Sequence, residues 1–100
     1  PRRFTASDRI QNVPTEFSRA LIARLQQAPV EAAALMAPEG GEVTTIDTTD
    51  GLRAHFATGA IVHLRPSGNA PELRCYAEAE DQSRARALCD TCLARIAATL

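Results

Sequence analysis

The apolar pattern changes period at Gly41, and that change most limits what the chain can fold into. Before it, Phe17, Leu21 and Leu25 recur every four residues with Ile22 beside them, the stripe of an amphipathic helix. After it the period is two: Val43, Thr45 and Asp47 alternate with Thr44, Ile46 and Thr48 in a Thr-rich, strand-prone segment. From Asp81 the helical period returns. Ala85, Leu88, Cys89, Cys92, Ile96 and Leu100 then share one stripe, while Arg84, Arg86, Asp90 and Arg95 face water. Grouped strands flanked by helices read as an α+β layer, with the helices packed on one face of the sheet.

The punctuation between elements refines this reading. A first helix is expected after Pro14, with Thr15 as N-cap and Glu16 in its positive first turn. Pro29 ends it, and a short second helix runs from Val30 to Met36. Asp50-Gly51 is a tight-turn signal. The strands that follow, Leu52 to Phe56 and Ala60 to Arg65, are joined through Ala57-Thr58-Gly59. With Gly59 left-handed, Phe56 pairs with Ala60, Ala54 with Val62 and Leu52 with Leu64, so all six paired side chains are apolar. Arg53, His55, Ile61, His63 and Arg65 then share the opposite face. A last strand from about Glu72 to Ala79 completes a four-stranded, mainly antiparallel sheet. Residues 1–14 are polar and bounded by prolines, and read as a linker, hinge or lead-in strand ahead of a domain over 15–100.

Charge narrows the partners. The basic residues are eleven arginines and no lysine, set against twelve acids for a net charge of −1. Interspersed charges of this kind give no global field for nucleic acid or an anionic membrane. The longest apolar run, Ala32 to Ala37, is far short of the roughly twenty residues of a membrane span. Three cysteines, Cys75, Cys89 and Cys92, make an odd set without disulfide-framework spacing, which points to a reducing, cytoplasmic setting. The chain opens with Pro1 rather than Met, as a piece of a longer protein would.

The most suggestive stretch chemically is Arg65-Pro66-Ser67-Gly68-Asn69-Ala70-Pro71. Arg65 brings a bidentate anion fork, Ser67 a hydroxyl, Gly68 a backbone able to approach a ligand, and Asn69 two more donors. Prolines at both ends reduce the entropy of ordering. The composition suits a phosphate cradle, but on composition alone a plain strand-to-strand turn with Arg65 in water is the favoured reading. Other candidates favour structural readings. His55 and His63 lack companion ligands for a metal. Cys89 and Cys92 have redox spacing but sit inside a helix on its apolar stripe, where thiols serve as small core residues. Asp47 and Asp50 read as turn residues rather than acid-base groups.

Residues 50–80, DGLRAHFATGAIVHLRPSGNAPELRCYAEAE, resemble the C-terminal domain of the α-D-phosphohexomutase family, the bacterial phosphomannomutases and phosphoglucomutases. That family carries an Arg-x-Ser-Gly/Asn-Thr-Glu-Pro loop followed by a strand with an apolar-Arg-apolar-Tyr-type pattern. Here the loop is Arg65 to Pro71 and the strand reads Leu73-Arg74-Cys75-Tyr76. The upstream RFTASDRIQNVPTEFS is similar to the segment joining the third domain to the fourth. The resemblance implies that Arg65, Ser67, Gly68 and Asn69, with Arg74 behind them, bind the phosphate of a hexose phosphate. Asn69 stands where Thr is usual and keeps a donor; Ala70 stands where Glu or Thr is usual and loses a polar contact. The whole enzyme would move phosphate between the 1- and 6-positions of a hexose through a phosphoserine, magnesium and a hexose bisphosphate intermediate. Neither the phosphoserine nor the Asp-rich metal loop occurs in this stretch, so no catalytic residue, metal site or cofactor is assigned here and the piece alone is expected to be inactive. Its expected partners are the hexose phosphate and the preceding domains of the same chain. A phosphoglucosamine mutase domain and a non-catalytic regulatory module are the alternatives.

Overall fold

The computed structural model describes residues 3–36, 43–49, 51–67 and 70–99. Strand β1 (Phe4–Gln11) precedes helices α1 (Thr15–Gln27) and α2 (Pro29–Met36). Strands β2 (Val43–Asp47), β3 (Leu52–Phe56), β4 (Ile61–Pro66) and β5 (Glu72–Ala79) follow, then helix α3 (Gln82–Ala97). The strands form one antiparallel sheet in the order β1-β5-β4-β3-β2.

Alternation along the central strands decides which face is covered. Leu52, Ala54 and Phe56, then Val62 and Leu64, then Leu73, Cys75, Ala77 and Ala79 are buried. They meet Leu21, Ile22 and Leu25 of α1 and Ala85, Cys89, Cys92, Leu93 and Ile96 of α3 in one core. The residues between them on each strand face away from the helices. The expected hairpin register is present: Leu52 pairs with Leu64 and Ala54 with Val62. The Phe56 N–H donates to the Ala60 carbonyl at 2.9 Å, and Gly59 has φ 91°.

The sheet has five strands, not the four expected. The extra one is β1, taken from the stretch read as a linker or lead-in strand. Its sequence, FTASDRIQ, has no apolar alternation because only Ala6 is buried along it. As an edge strand it is held by the backbone ladder to β5 and by polar contacts to α3, including Arg86 Nη2 to Asp8 Oδ2 at 3.2 Å. A polar edge also discourages pairing with other chains. Strand β2 departs from strict alternation too. A register shift between Val43 and Thr45 lets Val43 and Ile46, an odd number of residues apart, both pack on the core.

Helix starts differ in their chemistry. Thr15 does not cap α1. Pro14 precedes the helix with no side-chain cap, and its carbonyl accepts from the Phe17 and Ser18 amides. Asp81 does cap α3, its Oδ1 accepting from the Arg84 amide at 2.7 Å. Asp81→Ala is therefore expected to cost about 1 kcal/mol, read as a lower urea midpoint at unchanged m-value.

Candidate functional site

The open face of the sheet is polar and ordered in rows by the register. Arg9 of β1 lies opposite Arg74 of β5, which lies opposite Arg65 of β4. The next row is Ser7, Tyr76, His63, Arg53 and Asp47. Three arginines side by side on neighbouring strands repel one another unless an anion stands among them. One does: Glu72, only 8% exposed, places Oε2 at 2.9 Å from Arg74 Nε and Oε1 at 3.7 Å from Arg9 Nε. A hydrogen bond with Tyr76 and the Glu72 carboxylate together hold the Arg74 guanidinium above its ordinary, already high pKa.

The 65–71 loop springs from this row. Arg65 is exposed at the end of β4, and Ser67 is half-buried. The loop's feet are fixed by backbone bonds. The Ser67 amide donates to the Glu72 carbonyl at 3.1 Å and the Glu72 amide to the Ala70 carbonyl at 2.8 Å. The Val13 amide donates to the Pro71 carbonyl at 2.8 Å, tying the loop to the segment after β1. Gly68 and Asn69 lie outside the described residues. Behind Arg65 the backbone of Gly51 approaches closely at φ +82°; a Cβ built there would stand 2.3 Å from the Leu64 carbonyl oxygen and 3.1 Å from Arg65 Cβ. Beside the arginines is an open hollow of about 400 Å³, bordered by Ser7, Asp8, Arg9, Gln11, Arg74 and Tyr76.

Arg65, Ser67 and Arg74 thus come together at one end of the open face. Arg9, Glu72 and Gly51 belong to the same corner and were missed. Arg9 sits in a segment read as a linker, and only the β1–β5 pairing brings it opposite Arg74. Glu72 had a signal: it is two residues before Arg74 and so shares its face.

The remaining candidates lie away from this corner or in the core. His63 lies opposite Arg53 and His55 opposite Ile61, so the two histidines are not cross-strand partners. His63 instead neighbours the Tyr76 ring, centroids 6.1 Å apart. Among the described residues no three His, Cys, Asp or Glu side chains are grouped to hold a metal. Asp47 is the last residue of β2, and its side chain braces the turn that follows. Its Oδ1 accepts from the Thr49 amide at 2.8 Å, and that bond lowers its pKa. Asp50 lies outside the described residues. Cys75, Cys89 and Cys92 are all free thiols with no exposed surface. Cys89 Sγ donates to the Cys75 carbonyl at 3.6 Å. Its pKa is pushed far up by contact with the Cys75 thiol and by burial. The Cys75 thiol is lowered by Cys89 but raised more by its contact with Cys92 and by burial, and moves up. No helix among the described residues is long and apolar enough to cross a membrane.

Residues 9–94 match the family model described as phosphoglucomutase/phosphomannomutase, C-terminal domain. The chain is 48% identical over 82 residues to a phosphomannomutase of Sinorhizobium fredii, a match covering 82% of this chain and 17% of the relative. It is 38% identical over all 100 residues to a phosphomannomutase of Salmonella muenchen, covering 21% of that protein. The chain therefore spans about a fifth of the length of the curated relatives it matches.

Proposed function

We propose that this chain, which belongs to the phosphoglucomutase/phosphomannomutase C-terminal domain family, grips the phosphate of a hexose phosphate with the 65–71 loop. The observation that carries the reading is the cross-strand pair of Arg65 and Arg74 at the foot of that loop. Two guanidiniums on adjacent strands offer paired donor forks that suit the oxygens of a dianion.

In this reading Arg65 donates two charge-assisted hydrogen bonds to the phosphate, and the Ser67 hydroxyl adds a third donor. Gly68 and Asn69, which lie outside the described residues, supply backbone and side-chain amide donors in this reading. Pinned at Ser67, Ala70 and Pro71, the loop has less entropy to lose when the anion arrives. The domain holds the phosphate that is not reacting and so fixes the sugar's distant oxygen for attack. The reaction is the exchange of phosphate between the 1- and 6-positions of the hexose, carried out by a longer, cytoplasmic enzyme of which this domain is one part. The names of both relatives favour a mannose phosphate over an amino sugar. Magnesium, implied for the whole enzyme, has no suitable ligand group among the described residues here. The phosphoserine likewise belongs to other parts of such an enzyme, and this domain alone is inactive. Because Phe4–Gln11 is committed to the sheet, the turning point for domain closure lies on the N-terminal side of β1.

Titrating the 15N-labelled chain with inorganic phosphate and mannose 6-phosphate, at constant ionic strength, tests this. Amide shifts are expected to be confined to the loop and the start of β5. Arg65→Ala is expected to weaken binding by about tenfold or more. Shifts spread evenly over the surface, none at millimolar phosphate, or unchanged affinity in Arg65→Ala would overturn the reading.

A further inference from the structure

Among the described residues Glu72 is the one charged side chain that is buried, and its surroundings give it a task. A carboxylate taken out of water is costly unless its charge is met and its oxygens are hydrogen-bonded. Here the two oxygens are divided between two arginines, Oε2 toward Arg74 and Oε1 toward Arg9. The approach to each is through Nε, the edge next to the side-chain stem. The Glu72 backbone is meanwhile bonded to the loop on both sides, through Ser67 and Ala70. One residue thus links the loop, Arg74 and Arg9.

We propose that Glu72 is a positioning residue that locks Arg9 and Arg74 into a two-guanidinium anion clamp, extending the phosphate site from the 65–71 loop onto β1. This rests on the phosphate reading of the loop and adds two residues to it. The register sets Arg9 opposite Arg74, and these two guanidiniums share the one carboxylate of Glu72, so the trio keeps a surplus of positive charge. A phosphate dianion matches that surplus, and guanidinium forks match its oxygens. The open hollow beside Arg9 and Arg74 leaves the outer side of the clamp within reach of a ligand. Arg9 is then a phosphate-binding residue held in place from below, not a solvated surface charge.

The sign of one substitution separates this from the simpler alternative, in which Glu72 merely competes with phosphate for the arginines. Glu72→Gln makes the corner more positive while loosening the two guanidiniums. A competitor's removal strengthens phosphate binding; a positioner's removal weakens it. Inorganic phosphate is titrated into the 15N-labelled chain and its Glu72→Gln and Arg9→Ala variants. The expected result is about fivefold weaker binding in each. In the ligand-free Glu72→Gln chain, the Nε–Hε signals of both Arg9 and Arg74 should move toward those of solvated arginines. The Arg9 side chain is half-exposed, so its truncation leaves a folded chain even where Glu72→Gln does not. Equal or tighter binding by Glu72→Gln, or wild-type binding by Arg9→Ala, overturns the clamp. If Arg65→Ala abolishes the response while those two variants retain it, the loop reading stands and the clamp alone falls. If the unmodified chain shows no local response to phosphate, both fall.

Discussion

Gly51→Ala is expected to lower stability by about 3 kcal/mol or more, a large share of the 5–15 kcal/mol typical of a domain. Two costs add. A left-handed backbone at φ +82° is strained for any residue with a Cβ, by roughly 1–2 kcal/mol. The new methyl would also stand 2.3 Å from the Leu64 carbonyl oxygen, which is backbone of a central strand and has little room to give. The Gly51 carbonyl accepts from Gln26 Nε2 of α1 at 3.0 Å, so a shift of Gly51 would be felt in the helix layer as well. Gly59→Ala is the matched comparison. Its φ is +91°, but the nearest heavy atom to the new Cβ is Arg3 Nη1 at 3.5 Å, the end of a flexible side chain. Only the conformational cost remains there. Thermal melts followed by circular dichroism should show a fall of more than about 12 °C for Gly51→Ala and a much smaller one for Gly59→Ala. Equal falls would show that the close approach to Leu64 contributes nothing.

Alkaline pH should destabilise the fold through the buried thiols. Cys75 and Cys89 have raised pKa values in the folded chain, whereas an unfolded thiol titrates near 8.5. Below about pH 8.5 both states hold these protons and the thiols add no pH dependence. Above it the unfolded state gives up protons that the folded state keeps, so stability falls as pH rises. The slope is about 1.4 kcal/mol per pH unit for each thiol that remains protonated in the fold. Urea titrations at neutral pH and near pH 10 measure it, and Cys89→Ala should flatten the profile. A thiol reagent should label none of the three cysteines quickly in the folded chain and all three in denaturant. Fast labelling of the native state would contradict their burial.

The central hairpin was legible because parity alone decides it. Only one register of β3 on β4 gives both strands a wholly apolar face, and that register is the one formed. The arginine-bearing end of β4 followed directly, since Arg65 has the opposite parity to Leu64. Strand β1 was not legible in the same way. A strand with one buried residue is recruited by a backbone ladder to a partner near the other end of the sequence, and side-chain patterning carries no record of that. The part of the site that depends on β1 was hidden for the same reason: Arg9 acquires its neighbours only when the strand order is known. Thr15 failed as a cap for a local reason, because Pro14 sets the backbone geometry one residue earlier.

The strand order also dictates when each piece can join the folding chain. Contacts close in sequence form readily, while distant ones must wait for a long loop to close. The β2–β3 and β3–β4 hairpins are local and can zip on their own, and β5 then adds to β4 across a short loop. Strand β1 has only β5 as a neighbour, so the first strand made is left without a template until the last one is in place. A chain growing from its N-terminus must carry that segment unpaired while nearly all of the rest is assembled. Its polar sequence then matters a second time, because an idle strand of this composition has little tendency to stick to anything else.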